Sequence, residues 1–208
     1  MGEVQDIYGK NITGKVGTVS FYVSRGKTIM RSLPGKRVRQ MTENQLRNQH
    51  RFQEIRKFCG LFKAIVIPQI WNGLATTSSG YHLFMKTNSP AFDQDGILAD
   101  PMKIRLSMGK LTLPDGMQAQ RTSSGGSTIR VKWEKEIKIG GLTLKQPLMV
   151  ISAGEGKYSE MKATGLIRGT LDGTFELPAL ASPATHIYLF FESLDQRYYS
   201  ESVCFQIY

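Results

Sequence analysis

His186-Ile187-Tyr188-Leu189-Phe190-Phe191-Glu192, followed by Ser193-Leu194-Asp195-Gln196 and then by residues 199–207, sets the reading of this chain. Ile187 to Phe191 is its longest apolar run, and Glu192 ends it. Five residues fall far short of the ~20 that cross a bilayer as a helix, so no membrane insertion is expected. The stretch reads instead as strand, turn, strand. Working outward, the same texture begins near Gly96. Short β-like runs cover 103–107, 109–113, 127–136, 147–152, 165–171 and 174–177, with turn candidates at Gly140-Gly141 and Leu171-Asp172-Gly173. Trp133 falls inside one run as a core candidate, and Thr122-Ser123-Ser124-Gly125-Gly126 suits a hairpin loop. Seven or eight such strands predict an antiparallel, immunoglobulin-like β-sandwich over 91–208.

Residues 1–90 have a different texture. Val19, Phe21 and Val23 alternate with Thr18, Ser20 and Tyr22, the period of a half-buried strand. Ser24-Arg25-Gly26-Lys27 is the turn, with Gly26 supplying positive φ, and residues 28–32 return until Leu33-Pro34-Gly35. Thr42-Glu43-Asn44-Gln45 has a capping-box pattern that starts a helix running to about Phe62. Its expected apolar stripe is Phe52, Ile55, Cys59 and Phe62, with Gly60 weakening the end. Pro68 opens or kinks a second helical stretch through Trp71, and residues 80–88 fit strand or helix. The expected fold class is therefore α+β, mainly β: a basic hairpin with one or two helices over 1–90, then the sandwich.

The charge follows the same division. The chain carries a net charge of +10. Residues 1–90 hold fourteen Lys or Arg against four Asp or Glu, whereas residues 91–208 hold thirteen of each. From Lys10 to Lys63, thirteen cations face only Glu43 and Glu54. That density attracts polyanions or an acidic protein face. The candidate contact residues are Lys15, Arg25, Lys27, Arg31, Lys36, Arg37, Arg39, Arg47 and Arg51. Arg25 and Lys27 would sit at the hairpin tip, positioned to enter a groove or follow a phosphate backbone. Tyr22 and Phe21 would suit stacking on unpaired bases or packing on the helix.

Motifs for catalysis are not met. Gly26-Lys27-Thr28 resembles the end of a phosphate-binding loop, but Phe21 stands where its first glycine belongs. Val150 replaces the first glycine of a nucleophile elbow around Ser152. Asp93-Gln94-Asp95-Gly96 suggests a calcium loop, yet Ala91 and Met102 occupy two ligand positions, so a turn is expected. His50, His82 and His186 lie far apart, and Cys59 and Cys204 are the only cysteines. No metal, no cofactor, no small-molecule substrate and no catalytic residue are predicted. The two thiols fit a reducing compartment, and Met1 to Lys10 has no apolar signal segment. Asp6 stands where a myristoylation signal needs Ser or Thr.

Several strings are similar to one family. Gly14-Lys15-Val16-Gly17-Thr18-Val19, Arg25-Gly26-Lys27 and Met30-Arg31-Ser32-Leu33-Pro34, followed by Gln45, Arg51 and Phe52, resemble the opening of an uncharacterised family of small basic bacterial and phage-related proteins. Leu106-Ser107-Met108-Gly109-Lys110-Leu111 and the closing strings Ile187 to Phe191 and Tyr199 to Val203 resemble it too. The resemblance implies the order hairpin, helix, sandwich and the role of a particle component.

Together these readings point to a non-enzymatic structural or assembly protein whose basic module docks on nucleic acid or an acidic partner. Its expected partners are other protein subunits, with nucleic acid as a further one. Its expected location is the cytoplasm or a particle assembled there. The alternatives are a stand-alone protein that binds phosphate backbone non-specifically, and an enzyme whose site the sequence hides.

Overall fold

A computed structural model describes residues 2–4, 12–33, 40–135, 141–180 and 182–208. The fold is α+β, mainly β, with antiparallel sheets. It divides into two compact units, Met1–Thr42 and Glu43–Tyr208.

The first unit is a four-stranded sheet of β1 (Gly2–Val4), β2 (Gly14–Val16), β3 (Val19–Ser24) and β4 (Lys27–Ser32), in the order β1-β4-β3-β2. A two-residue turn joins β3 to β4, with Arg25 at φ 54° and Gly26 at φ 75°. Positive φ at both positions makes a primed turn, whose twist matches that of the strands it connects. The short flanking strands β1 and β2 widen the expected hairpin into a sheet.

The second unit begins with α1 (Glu43–Leu61). Its first eight residues are all exposed. Burial starts at Ile55 and continues through Phe58, Cys59 and Phe62. The buried stripe therefore includes Phe58, while Phe52 is half exposed. The chain then forms a π-helical turn over Ile67–Trp71, opened by Pro68, which runs into α2 (Asn72–Leu74). Residues 80–88 settle as a helix, α3 (Gly80–Asn88), because the Ser79 hydroxyl caps it by accepting from the His82 amide at 3.3 Å.

Eight strands follow: β5 (Gln118–Arg121), β6 (Thr128–Lys132), β7 (Pro147–Gly154), β8 (Lys157–Tyr158), β9 (Lys162–Ile167), β10 (Asp172–Glu176), β11 (His186–Phe191) and β12 (Val203–Gln206). One sheet runs β12-β11-β7-β8, with β9 also on β7; the other runs β10-β6-β5. Strands β7 and β11 are central and buried on both faces. Alternation explains how. Met149, Ile151, Tyr188 and Phe190 face the helices, meeting Phe58, Phe62, Trp71 and Phe84. Leu148, Val150, Ile187, Leu189 and Phe191 face the second sheet, meeting Ile129, Val131, Trp133 and Phe175. The register pairs Phe190 with Met149 and Phe191 with Leu148, so each rung feeds one core. Each of these fully buried side chains contributes about 1.5–3 kcal/mol. The strand over 186–191 thus holds two cores together.

Because α1 and α3 close one of these cores, residues 43–90 group with the C-terminal strands. The two compact units divide after Thr42. Residues 103–107 and 109–113, expected as strands, form no ladder. Isolated bonds tie them down instead: Ser107 donates to the Ser200 carbonyl at 2.7 Å, Ser202 Oγ accepts from the Leu106 amide at 2.9 Å, and the Leu111 amide donates to the Tyr199 carbonyl at 3.1 Å. Among the described residues, no helix is long and apolar enough to cross a membrane.

Candidate functional site

The register of the first unit sorts its side chains by face. Lys15 and Arg31 both pair with Ser20, one from each side, and therefore share its face. Ser24 pairs with Lys27, and Tyr22 with Ile29, on that same face. Lys15, Tyr22, Lys27 and Arg31 are exposed. Two strand spacings separate Lys15 from Arg31, about 10 Å, and four residues of β4 separate Arg31 from Lys27, about 13 Å. Arg25 projects from the turn and is exposed as well. The result is a cationic face on which Tyr22 stands midway between Lys15 and Lys27.

The opposite face is apolar. Val16, Val19, Phe21, Val23 and Met30 alternate onto it. Phe21 therefore lies away from the charges, and Tyr22 alone is placed to stack beside them. Thr28 shares the apolar face; it is buried, and its hydroxyl has no hydrogen-bond partner among the described residues.

The remaining candidates fall elsewhere. Lys36, Arg37 and Arg39 lie outside the described residues. Arg47 and Arg51 belong to the second unit, where they hold the 89–96 loop. Arg51 donates from Nε to the Asp93 carbonyl at 2.7 Å, and from Nη2 to the carbonyls of Ser89 and Phe92 at 3.1 and 3.2 Å. Arg47 meets the Asp95 carboxylate at 3.4 Å and Gln94 at 3.5 Å. The loop itself is an Asx turn, in which Asp93 Oδ1 accepts from the amides of Asp95 and Ile97, each at 2.9 Å. Both side chains thus contact the chain's own 89–96 loop.

The chemistry-bearing residues of the second unit are similarly occupied. Ser152 is buried within β7 and donates to the Pro178 carbonyl at 3.3 Å. Glu192 is buried, which raises its carboxyl above the usual range, and it accepts from the Tyr199 hydroxyl at 2.9 Å. Asp172 is held below the usual range by the Arg130 guanidinium, 2.6 Å away. Among the described residues, no group of three or more His, Cys, Asp or Glu is arranged to hold a metal ion.

Comparison with known proteins finds no matching family, curated protein or solved structure for this chain.

Proposed function

We propose that this chain is a non-enzymatic assembly protein that docks on the phosphate backbone of nucleic acid through the cationic face of its N-terminal sheet. One observation carries the reading: the β2–β3–β4 register places Lys15, Lys27 and Arg31 on a single face around Tyr22. Phosphate fits this face because a backbone offers closely spaced negative charges along a line, which a triangle of flexible cations meets without fixed geometry. Tyr22 adds a stacking surface for an unpaired base. The apolar face, with Val16 70% and Met30 39% exposed, favours a protein subunit as the second partner. The sheet would then join nucleic acid on one side to protein on the other.

We also read the stacked sheets of the second unit as immunoglobulin-like in style, and the chain as a component of a phage-related particle assembled in the cytoplasm. The N-terminal and C-terminal strings that resemble such proteins support this.

Salt titration tests the proposal. Binding of an oligonucleotide to the full chain should weaken linearly with log salt, and Lys15→Gln/Lys27→Gln/Arg31→Gln should flatten that slope by about 2–3. No binding at low salt sinks the reading, and so does a slope the triple variant leaves unchanged.

A further inference from the structure

One concavity of the second unit is lined by cations and carries no assigned role. It is a cavity of about 520 Å³, open to solvent and lined by Gln53, Arg56, Lys57, Gly60, Lys63 and Tyr81. Gln53, Arg56, Lys57 and Gly60 stand at i, i+3, i+4 and i+7 of α1, so they form one helix face. Lys63 follows in the turn after α1, and Tyr81 comes from the first turn of α3.

The lining holds three cations and no carboxylate. Lys57 is engaged at 2.6 Å by Glu54, whose carboxyl that bond holds below the usual range. Arg56 and Lys63 have no carboxylate within ion-pair distance among the described residues. Gly60 borders open space, since a Cβ there would meet nothing within 4 Å. Tyr81 is a fixed wall, since its hydroxyl donates to the Arg56 carbonyl at 3.3 Å.

We propose that this cavity binds the polyphosphate chain of a small molecule, free or as part of a nucleoside triphosphate. Arg56 and Lys63, seven positions apart, are about 10 Å apart at helical rise, more than one phosphate bridges and close to the reach of a linked series. Arg56 presents a planar fork of donors, Lys57 and Lys63 supply point charges, and the Gln53 amide adds neutral donors. On binding, Lys57 would be shared between Glu54 and the ligand.

Calorimetry on the full chain tests this, in a background carrying Lys15→Gln, Lys27→Gln and Arg31→Gln so that the sheet contributes little. The probes are orthophosphate, pyrophosphate, tripolyphosphate and ATP. Affinity should rise from orthophosphate to tripolyphosphate. Arg56→Gln/Lys63→Gln should weaken tripolyphosphate at least tenfold, and Gly60→Glu should abolish binding while Gly60→Ala keeps it. The control pair Lys135→Gln/Lys145→Gln, outside the cavity, should stay within twofold. Circular dichroism confirms that each variant is folded. ATP binding more tightly than tripolyphosphate identifies a nucleotide as the ligand, and equal binding identifies the polyphosphate chain alone. No heat with tripolyphosphate at low salt overturns the proposal, as does a control pair that loses as much as the cavity pair. Either failure leaves the sheet's binding of nucleic acid untouched.

Discussion

Arg51, from the middle of α1, donates through Nε to the Asp93 carbonyl at 2.7 Å and through Nη2 to Ser89 and Phe92. One guanidinium therefore satisfies three carbonyls of a loop that has no ladder of its own. Gly96 closes the loop over the helix: a Cβ there would lie 3.0 Å from Arg51 Cα. Charge-assisted bonds of this kind are worth more than neutral ones. Arg51→Ala should lower stability by about 2–3 kcal/mol in denaturant titration. Arg51→Lys should recover only a minor part, since a single ammonium lacks the two separated nitrogens, Nε and Nη2, that reach these carbonyls. Hydrogen exchange should speed up at the amides of Asp95 and Ile97. Unchanged stability in Arg51→Ala would remove this arginine from the fold's supports.

The same residue shows why some features were legible in the sequence and others were not. A basic residue reads as a surface charge because carbonyl acceptors leave no signature in composition. Hence Arg47 and Arg51 joined Lys15, Lys27 and Arg31 as candidates, although only the latter three share a face. The strand over 186–191 was legible because burial on both sides demands an unbroken apolar run. Strand β5, Gln-Ala-Gln-Arg, carries no such run, since only Ala119 and Arg121 turn inward and the rest is polar. Residues 103–107 read as a strand by pattern, but their backbone groups bond to scattered partners, among them the Asn88 side chain, the Trp71 indole and the Ser202 hydroxyl, which pattern does not encode. The helix stripe slipped at Phe52 because the first turns of α1 are exposed and burial begins only at Ile55.

Burial governs the two thiols. Cys59 is pushed up to about 12 and Cys204 to about 11, each by desolvation, from an ordinary 9.0. The folded state therefore retains protons that the unfolded chain releases. The stabilisation is complete below pH 9.0 and is lost as pH rises towards 11 and 12. Melting temperature should fall across that window. At pH 8 both thiols should react with a chromogenic disulfide reagent at least a hundredfold slower than in guanidinium. Rapid native labelling would contradict their burial.

Thr28 occupies a position that a hydroxyl does not suit. It pairs with Val23 on the apolar face, is 4% exposed, and its Oγ1 has no hydrogen-bond partner among the described residues. Thr28→Val keeps the β-branched shape and removes the unpaired group. It should stabilise the N-terminal unit by about 1 kcal/mol. Protease resistance of residues 12–33 reports this directly, and a destabilised variant would mean that the hydroxyl has a role.

Tyr22 and the three cations around it should contribute to binding in separable ways. Charge neutralisation acts through counterion release, so it alters the salt slope. Removing an aromatic ring acts through stacking, which involves no counterion. Tyr22→Ala should therefore weaken a single-stranded oligonucleotide by about 1–3 kcal/mol at every salt concentration, in parallel with the unaltered chain. A duplex of the same length should lose much less, because its bases are already stacked. Tyr22→Phe should restore the single-stranded affinity, since the ring carries the effect. If Tyr22→Ala weakens both forms equally, the ring supports the sheet itself, and the face recognises phosphate through Lys15, Lys27 and Arg31 alone.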